Sequence, residues 1–182
     1  PTSFNLFADR STDLNVLGFE IPSIWFQSLN PLFILLLAPI VSIVWIKLAN
    51  RGLEPNSMVK FALGMLLTAA GFSLMIFASK SILTSDGALA SPLWLVGSLL
   101  LLTLGELALS PVGLSAMTKL APKGMQGQMM GLFFASVAMG NLAAAFFGGH
   151  VSADKIEGLP TLFTTMTVFL VVTAVVLLAK PI

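Results

Sequence analysis

The sequence predicts an all-α integral membrane protein: five transmembrane helices behind a leading loop. Three observations carry this. Of 182 residues, 57% are apolar and 9% charged, against roughly 45–50% and about 25% in an ordinary soluble domain. Mean hydropathy is +0.97, so the chain cannot supply the polar surface that a soluble fold needs. Finally, the apolar residues fall into five stretches, each near the roughly 20 residues that cross a hydrocarbon core about 30 Å thick.

The leading segment, 1–22, holds Asp9, Arg10, Asp13 and Glu20 and no long apolar run; it reads as an extracytoplasmic loop with the end of an earlier helix. The predicted helices cover residues 23–46, 61–79, 93–118, 129–149 and 161–179. Polar connectors at 47–60, 80–92, 119–128 and 150–160 separate them, with turn signals such as Arg51-Gly52, Asp86-Gly87, Pro122-Lys123-Gly124 and Gly158. Connectors this short make consecutive helices antiparallel neighbours. None of the five stretches alternates polar with apolar residues as a membrane barrel strand does. Trp25, Trp45 and Trp94 stand near the ends of apolar stretches, as interfacial anchors do.

Charge placement gives an orientation. Lys47, Arg51, Lys60, Lys119, Lys123 and Lys180 fall on one side, six of the nine basic residues, with Glu54 as its only acid. Asp9, Asp13, Glu20, Asp86, Asp154 and Glu157 fall on the other. Cytoplasmic connectors are rich in Lys and Arg. Connectors 47–60 and 119–128 and the C-terminus are therefore expected in the cytoplasm, and 1–22 outside, in a multi-pass protein of the cell membrane.

The remaining acid is Glu106, with 13 residues before it and 12 after it in the third stretch. A charge at that depth costs a few kcal/mol, so it must face protein, face water or carry a proton. Desolvation raises a carboxyl pKa and brings such a group toward proton exchange near neutral pH. Thr103 and Ser110 stand three before and four after it, on the same helical face. Gly105 and Gly113 leave room for a backbone or ligand, and Pro111 interrupts the helix. A kinked helix with a mid-membrane carboxylate is suited to line a solute cavity. The first stretch adds Gln27 and Asn30, three apart, with Pro31 and Pro39. Asn30 can donate and accept at once, which suits a peptide bond; the same chemistry serves as a helix–helix tie. Asn141 reads as such a tie, and Gly127 with Gly131 as a close-packing pair. Phe133 and Phe134 suit either a cavity wall or packing. His150 stands at a helix end near the interface, where a pH-sensing role is conceivable.

Other chemistry is scarce. There are no cysteines and one histidine, which removes disulfides, thiolate sites and histidine metal clusters. A net charge of +1 gives no footprint for nucleic acid. No nucleophile elbow, zinc-protease helix, Walker loop or dinucleotide fingerprint occurs, so neither an enzyme nor a cofactor is expected. An intramembrane serine protease would need a histidine at membrane depth, and His150 lies at a boundary.

Four stretches then resemble a known family. Phe26-Gln27-Ser28-Leu29-Asn30-Pro31, Gly105 to Ser115 (GELALSPVGLS), Gly131-Leu132-Phe133-Phe134 with Gly140-Asn141, and Pro1-Thr2-Ser3-Phe4-Asn5 are similar to the eighth, tenth and eleventh helices and the outer end of the seventh helix of proton-coupled oligopeptide transporters. These belong to the major facilitator superfamily, and Leu48 to Gly52 looks like a degenerate form of its cytoplasmic loop signature. The resemblance implies helices 8–12 of a twelve-helix core, in the C-terminal half of an importer of dipeptides and tripeptides driven by protons. It implies Asn30, Glu106, Ser110, Phe133 and Gln27 as substrate contacts and Glu106 as the proton-coupling residue. Its partners would be peptide, protons, the lipid bilayer and an N-terminal half. The family's Glu-x-x-Glu-Arg-Phe motif does not occur here, and tryptophan often stands where Phe133 does. Together with a first residue that is Pro1, this makes the chain read as a piece of a longer carrier that would not transport alone. Two alternatives remain open from the residues: a facilitator for nitrate or another small solute, and a noncatalytic membrane-anchoring subunit.

Overall fold

A computed structural model describes residues 12, 15–16, 19–20, 22, 25–84, 89–149 and 158–179. Five long helices dominate: α1 (Trp25–Asn50), α2 (Ser57–Thr84), α3 (Pro92–Leu120), α4 (Gln126–Gly149) and α5 (Leu159–Ala179). All five are long and apolar enough to cross a membrane. At 1.5 Å per residue, the 29 residues of α3 span about 43 Å and reach beyond the hydrocarbon core into both headgroup layers. In the leading segment, read from sequence as loop, β1 (Asn15–Val16) pairs antiparallel with β2 (Phe19–Glu20), and Thr12 bridges Ala90. Pairs this short leave no alternation to read. The N-terminal stretch Pro1–Asn5, His150 and Lys180 lie outside the described residues.

Local chemistry sets the helix ends. α1 terminates at Gly52, whose φ of 68° few side chains tolerate. Leu53 N–H bonds the Leu48 carbonyl at 3.0 Å and Gly52 N–H that of Ala49 at 3.0 Å, the two-bond closure of a Schellman turn. Asn56 caps α2, its Oδ1 accepting from Met58 N–H at 2.9 Å. Ser91 caps α3, with Pro92 in the first turn, where a missing N–H costs nothing.

α3 lies at the centre. It packs against α2, α1 and α4, while α5 packs against the far side of α2. Chain neighbours are thus not always packing neighbours: α1 sits chiefly on α3 and α5 on α2. Short connectors restrain only helix ends; small residues decide which faces meet. The buried Gly64 and Gly71 of α2 face α3, Gly64 against Gly105 and Leu109 and Gly71 against Ser98, Leu101 and Leu102. A Cβ at Gly105 would lie 2.7 Å from the Gly64 carbonyl and collide with Thr68 Oγ1; one at Gly64 would lie 2.9 Å from the Gly105 carbonyl. The two backbones therefore touch, which is how membrane helices gain dispersion energy without a hydrophobic drive. Ser98 Oγ adds a buried bond to the Gly71 carbonyl at 2.8 Å.

The large apolar side chains of the core cluster at one end, among the described residues. Phe26, Met75, Ala78, Ala90, Leu95, Leu159 and Phe163 cluster where α1, α3 and α5 begin and α2 finishes, with Phe72 and Phe163 stacked 6.1 Å apart. The other end is polar. Lys60 Nζ donates to Glu54 Oε1 at 2.6 Å and lies 5.1 Å over the Trp45 ring. Trp45 is thus a platform for the Lys60 ammonium. Most of the large apolar side chains of α1 and α4 are exposed, as a lipid-facing surface requires.

Candidate functional site

Glu106 is exposed, although it is central in α3 and its neighbour Gly105 is fully enclosed against α2. Ser110, one turn on, and Pro111 are exposed too. None of the other four helices covers this strip, and among the described residues no cation stands within ion-pair distance of Glu106. Gly113 lies one heptad beyond Glu106, about 10 Å along the same face. There the strip is closed: the Phe133 ring of α4 sits against Gly113, where an added Cβ would meet it at 2.9 Å. Phe133 also stands edge-on to Phe134, 5.8 Å between centroids.

Thr103 differs from its sequence reading. It is buried, turned about 60° around α3 from Glu106, and faces α1 instead of the open strip. Its Oγ1 lies 2.6 Å from Asn30 Oδ1 and 2.8 Å from the Leu99 carbonyl. Asn30 is partly exposed, and Gln27, one turn earlier on α1, is exposed. The fold thus brings Asn30 and Thr103 into contact next to the strip carrying Glu106 and Ser110, with Phe133 at one end of it. Asn141 is exposed on α4, and a Cβ added at Gly127, Gly131 or Gly140 would meet open space. Neither the amide nor the glycine pair ties α4 to a helix of this chain among the described residues. Two features carried no sequence signal. The Asn30–Thr103 contact spans 73 positions. The Glu54–Lys60 pair needed the intervening cap at Asn56 to be recognised as a turn that brings the two together.

The chemistry available is a carboxylate at mid-membrane depth, a hydroxyl and a carboxamide within one or two turns, and a wall of aromatic and small residues. Among the described residues there is no metal-binding cluster of His, Cys, Asp or Glu.

Comparison with known proteins agrees with this picture. The chain is 57% identical over 98% of its length to the peptide transporter YePEPT of Yersinia enterocolitica subsp. palearctica. It is 41% identical over its whole length to the uncharacterized transporter YclF of Bacillus subtilis, and 33% identical over 84% to dipeptide and tripeptide permease A of Escherichia coli. It spans about a third of these relatives, 35%, 35% and 29% respectively. Among solved structures it superimposes on a peptide transporter in complex with alafosfalin with a TM-score of 0.81, at 38% identity, covering 98% of this chain and 38% of that one. A transporter in complex with 5-aminolevulinic acid matches with a TM-score of 0.69, at 29% identity, covering 98% of this chain and 37% of that one. The family model described as POT family matches residues 1–162. Five membrane-crossing helices, an acid exposed in the middle of one of them and this match together make the chain a multi-pass membrane protein of the POT family.

Proposed function

We propose that the chain forms helices 8–12, in the C-terminal half, of a proton-coupled symporter that imports dipeptides and tripeptides by alternating access across the cell membrane. The single observation that carries this is Glu106, the one acid inside the five spans, exposed at mid-depth on a face that α2 leaves open. Relatives named as peptide transporters and as dipeptide and tripeptide permeases support the substrate class. The basic bias of connectors 47–60 and 119–128 supports a cytoplasmic placement for them and for the C-terminus.

In this reading Glu106 holds the peptide ammonium in one state and a proton in another, so the two fluxes share one group. Asn30 and Gln27 meet the peptide backbone from α1, Ser110 stands one turn from Glu106 on the same wall, and Phe133 bounds the cavity. The remaining part of the carrier supplies the opposite wall. Transport of this kind needs a titratable group, polar contacts and helices that can bend, and no catalytic nucleophile. Glu106→Gln in the full-length carrier tests it: proton-driven dipeptide uptake is expected to fall at least tenfold, and unchanged uptake would reject the assignment.

A further inference from the structure

Thr103 carries a constraint that the substrate contacts alone do not. Its hydroxyl has one proton and two oxygen neighbours, Asn30 Oδ1 at 2.6 Å and the Leu99 carbonyl at 2.8 Å. The Leu99 carbonyl is already the helical acceptor of the Thr103 backbone N–H, so it loses little without the hydroxyl. Asn30 Oδ1 lies at membrane depth, where a carboxamide oxygen without a donor is costly. The 2.6 Å separation is a usual O–H···O length and is shorter than N–H···O contacts run. The proton therefore goes to Asn30 Oδ1, and the Asn30 NH2 is turned away from Thr103. Thr103 itself is fully buried and so is not a contact for any solute.

Building on the reading of Asn30 as a peptide contact, we propose that Thr103 is a positioning residue that fixes the Asn30 carboxamide with its NH2 outward, as a donor for the peptide's first carbonyl oxygen. That carbonyl is the acceptor nearest the ammonium along a peptide, so a donor next to the Glu106 strip meets it once the ammonium is held. The device discriminates by hydrogen-bond polarity: oxygen acceptors fit, and solutes that offer only a donor there meet a like group.

The test uses the full-length carrier in proteoliposomes under a proton gradient. Asn30→Ala is expected to raise the dipeptide KM about tenfold, and Thr103→Val about as much, with Vmax little changed. Thr103→Ser restores the hydroxyl and the wild-type KM. In the Asn30→Ala background, Thr103→Val has no further effect, because the residue it acts through is gone. If Asn30→Ala leaves KM unchanged, the reading of Asn30 as a peptide contact falls and this inference with it. If Asn30→Ala raises KM but Thr103→Val does not, or the two effects multiply, the inference alone falls. A second measurement needs no variant: the unmodified carrier should take up a dipeptide severalfold better than its thioxo analogue, whose C=S is a weak acceptor. Equal uptake of the two would overturn the proposed donor.

Discussion

At the scale of single residues, the two glycines of the α2–α3 crossing are under a steric limit that Gly127, Gly131 and Gly140 of α4 are not. Gly105→Ala places a methyl against the Gly64 carbonyl and Thr68 Oγ1, so it should destabilise by about 1–3 kcal/mol. Gly131→Ala meets nothing and should be neutral or slightly stabilising, since alanine is the better helix former. Thermal melting of the detergent-solubilised carrier checks both. Residues also set the limit of what sequence reading can see. Gly52 is legible because a turn is a local matter, decided by the backbone freedom of one residue. Thr103 is not, because its partner is set by which helix packs beside it, and periodicity on a uniformly apolar helix does not choose between faces.

At the scale of elements, the clasp of Glu54, Lys60 and Trp45 ties the α1–α2 turn down at one end of the bundle. The hydrogen bond from Lys60 holds the Glu54 carboxyl below its usual value, reinforced by the charges of Lys60 and Lys119. A carboxyl lowered in the folded state contributes above its ordinary pKa and loses that contribution as the pH falls through the lowered one. Amide protection over residues 51–54 and 56, taken against the intrinsic exchange rate at each pH, should accordingly fall on acidification through the carboxylate range. Lys60→Met should make exchange faster at neutral pH and remove most of the acid response. The five spans themselves are readable from composition, since bilayer thickness imposes their length. Their neighbours are not, and α5 settles on α2 through Phe163 and Phe72, a contact no connector length reveals.

At the scale of the whole molecule, two kinds of exposed surface have to be told apart: one for lipid and one for water. Under the proposed function, Leu35 at 74% and Phe169 at 68% exposure belong to the first, Glu106 and Ser110 to the second. This segment has no cysteine, so single cysteines report without background from it. Cysteines at 106 and 110 in the full-length carrier should react with a membrane-impermeant maleimide, and cysteines at 35 and 169 should not. Labelling at all four positions alike would remove the distinction and with it the cavity. Competition of uptake by assorted dipeptides, but not by nitrate or sugars, is the matching expectation for the solute.

The acid follows immediately after the residue at which α3 touches α2 backbone to backbone. A lever moves least at its fulcrum, and Glu106 is mounted almost on it. If Glu106 exchanges a proton as proposed, the Gly64–Gly105 contact leaves little slack for α3 to slide along α2 in response. In that reading the response travels outward instead, into α1 through the Asn30 tie and into α4 through the ring seated at Gly113.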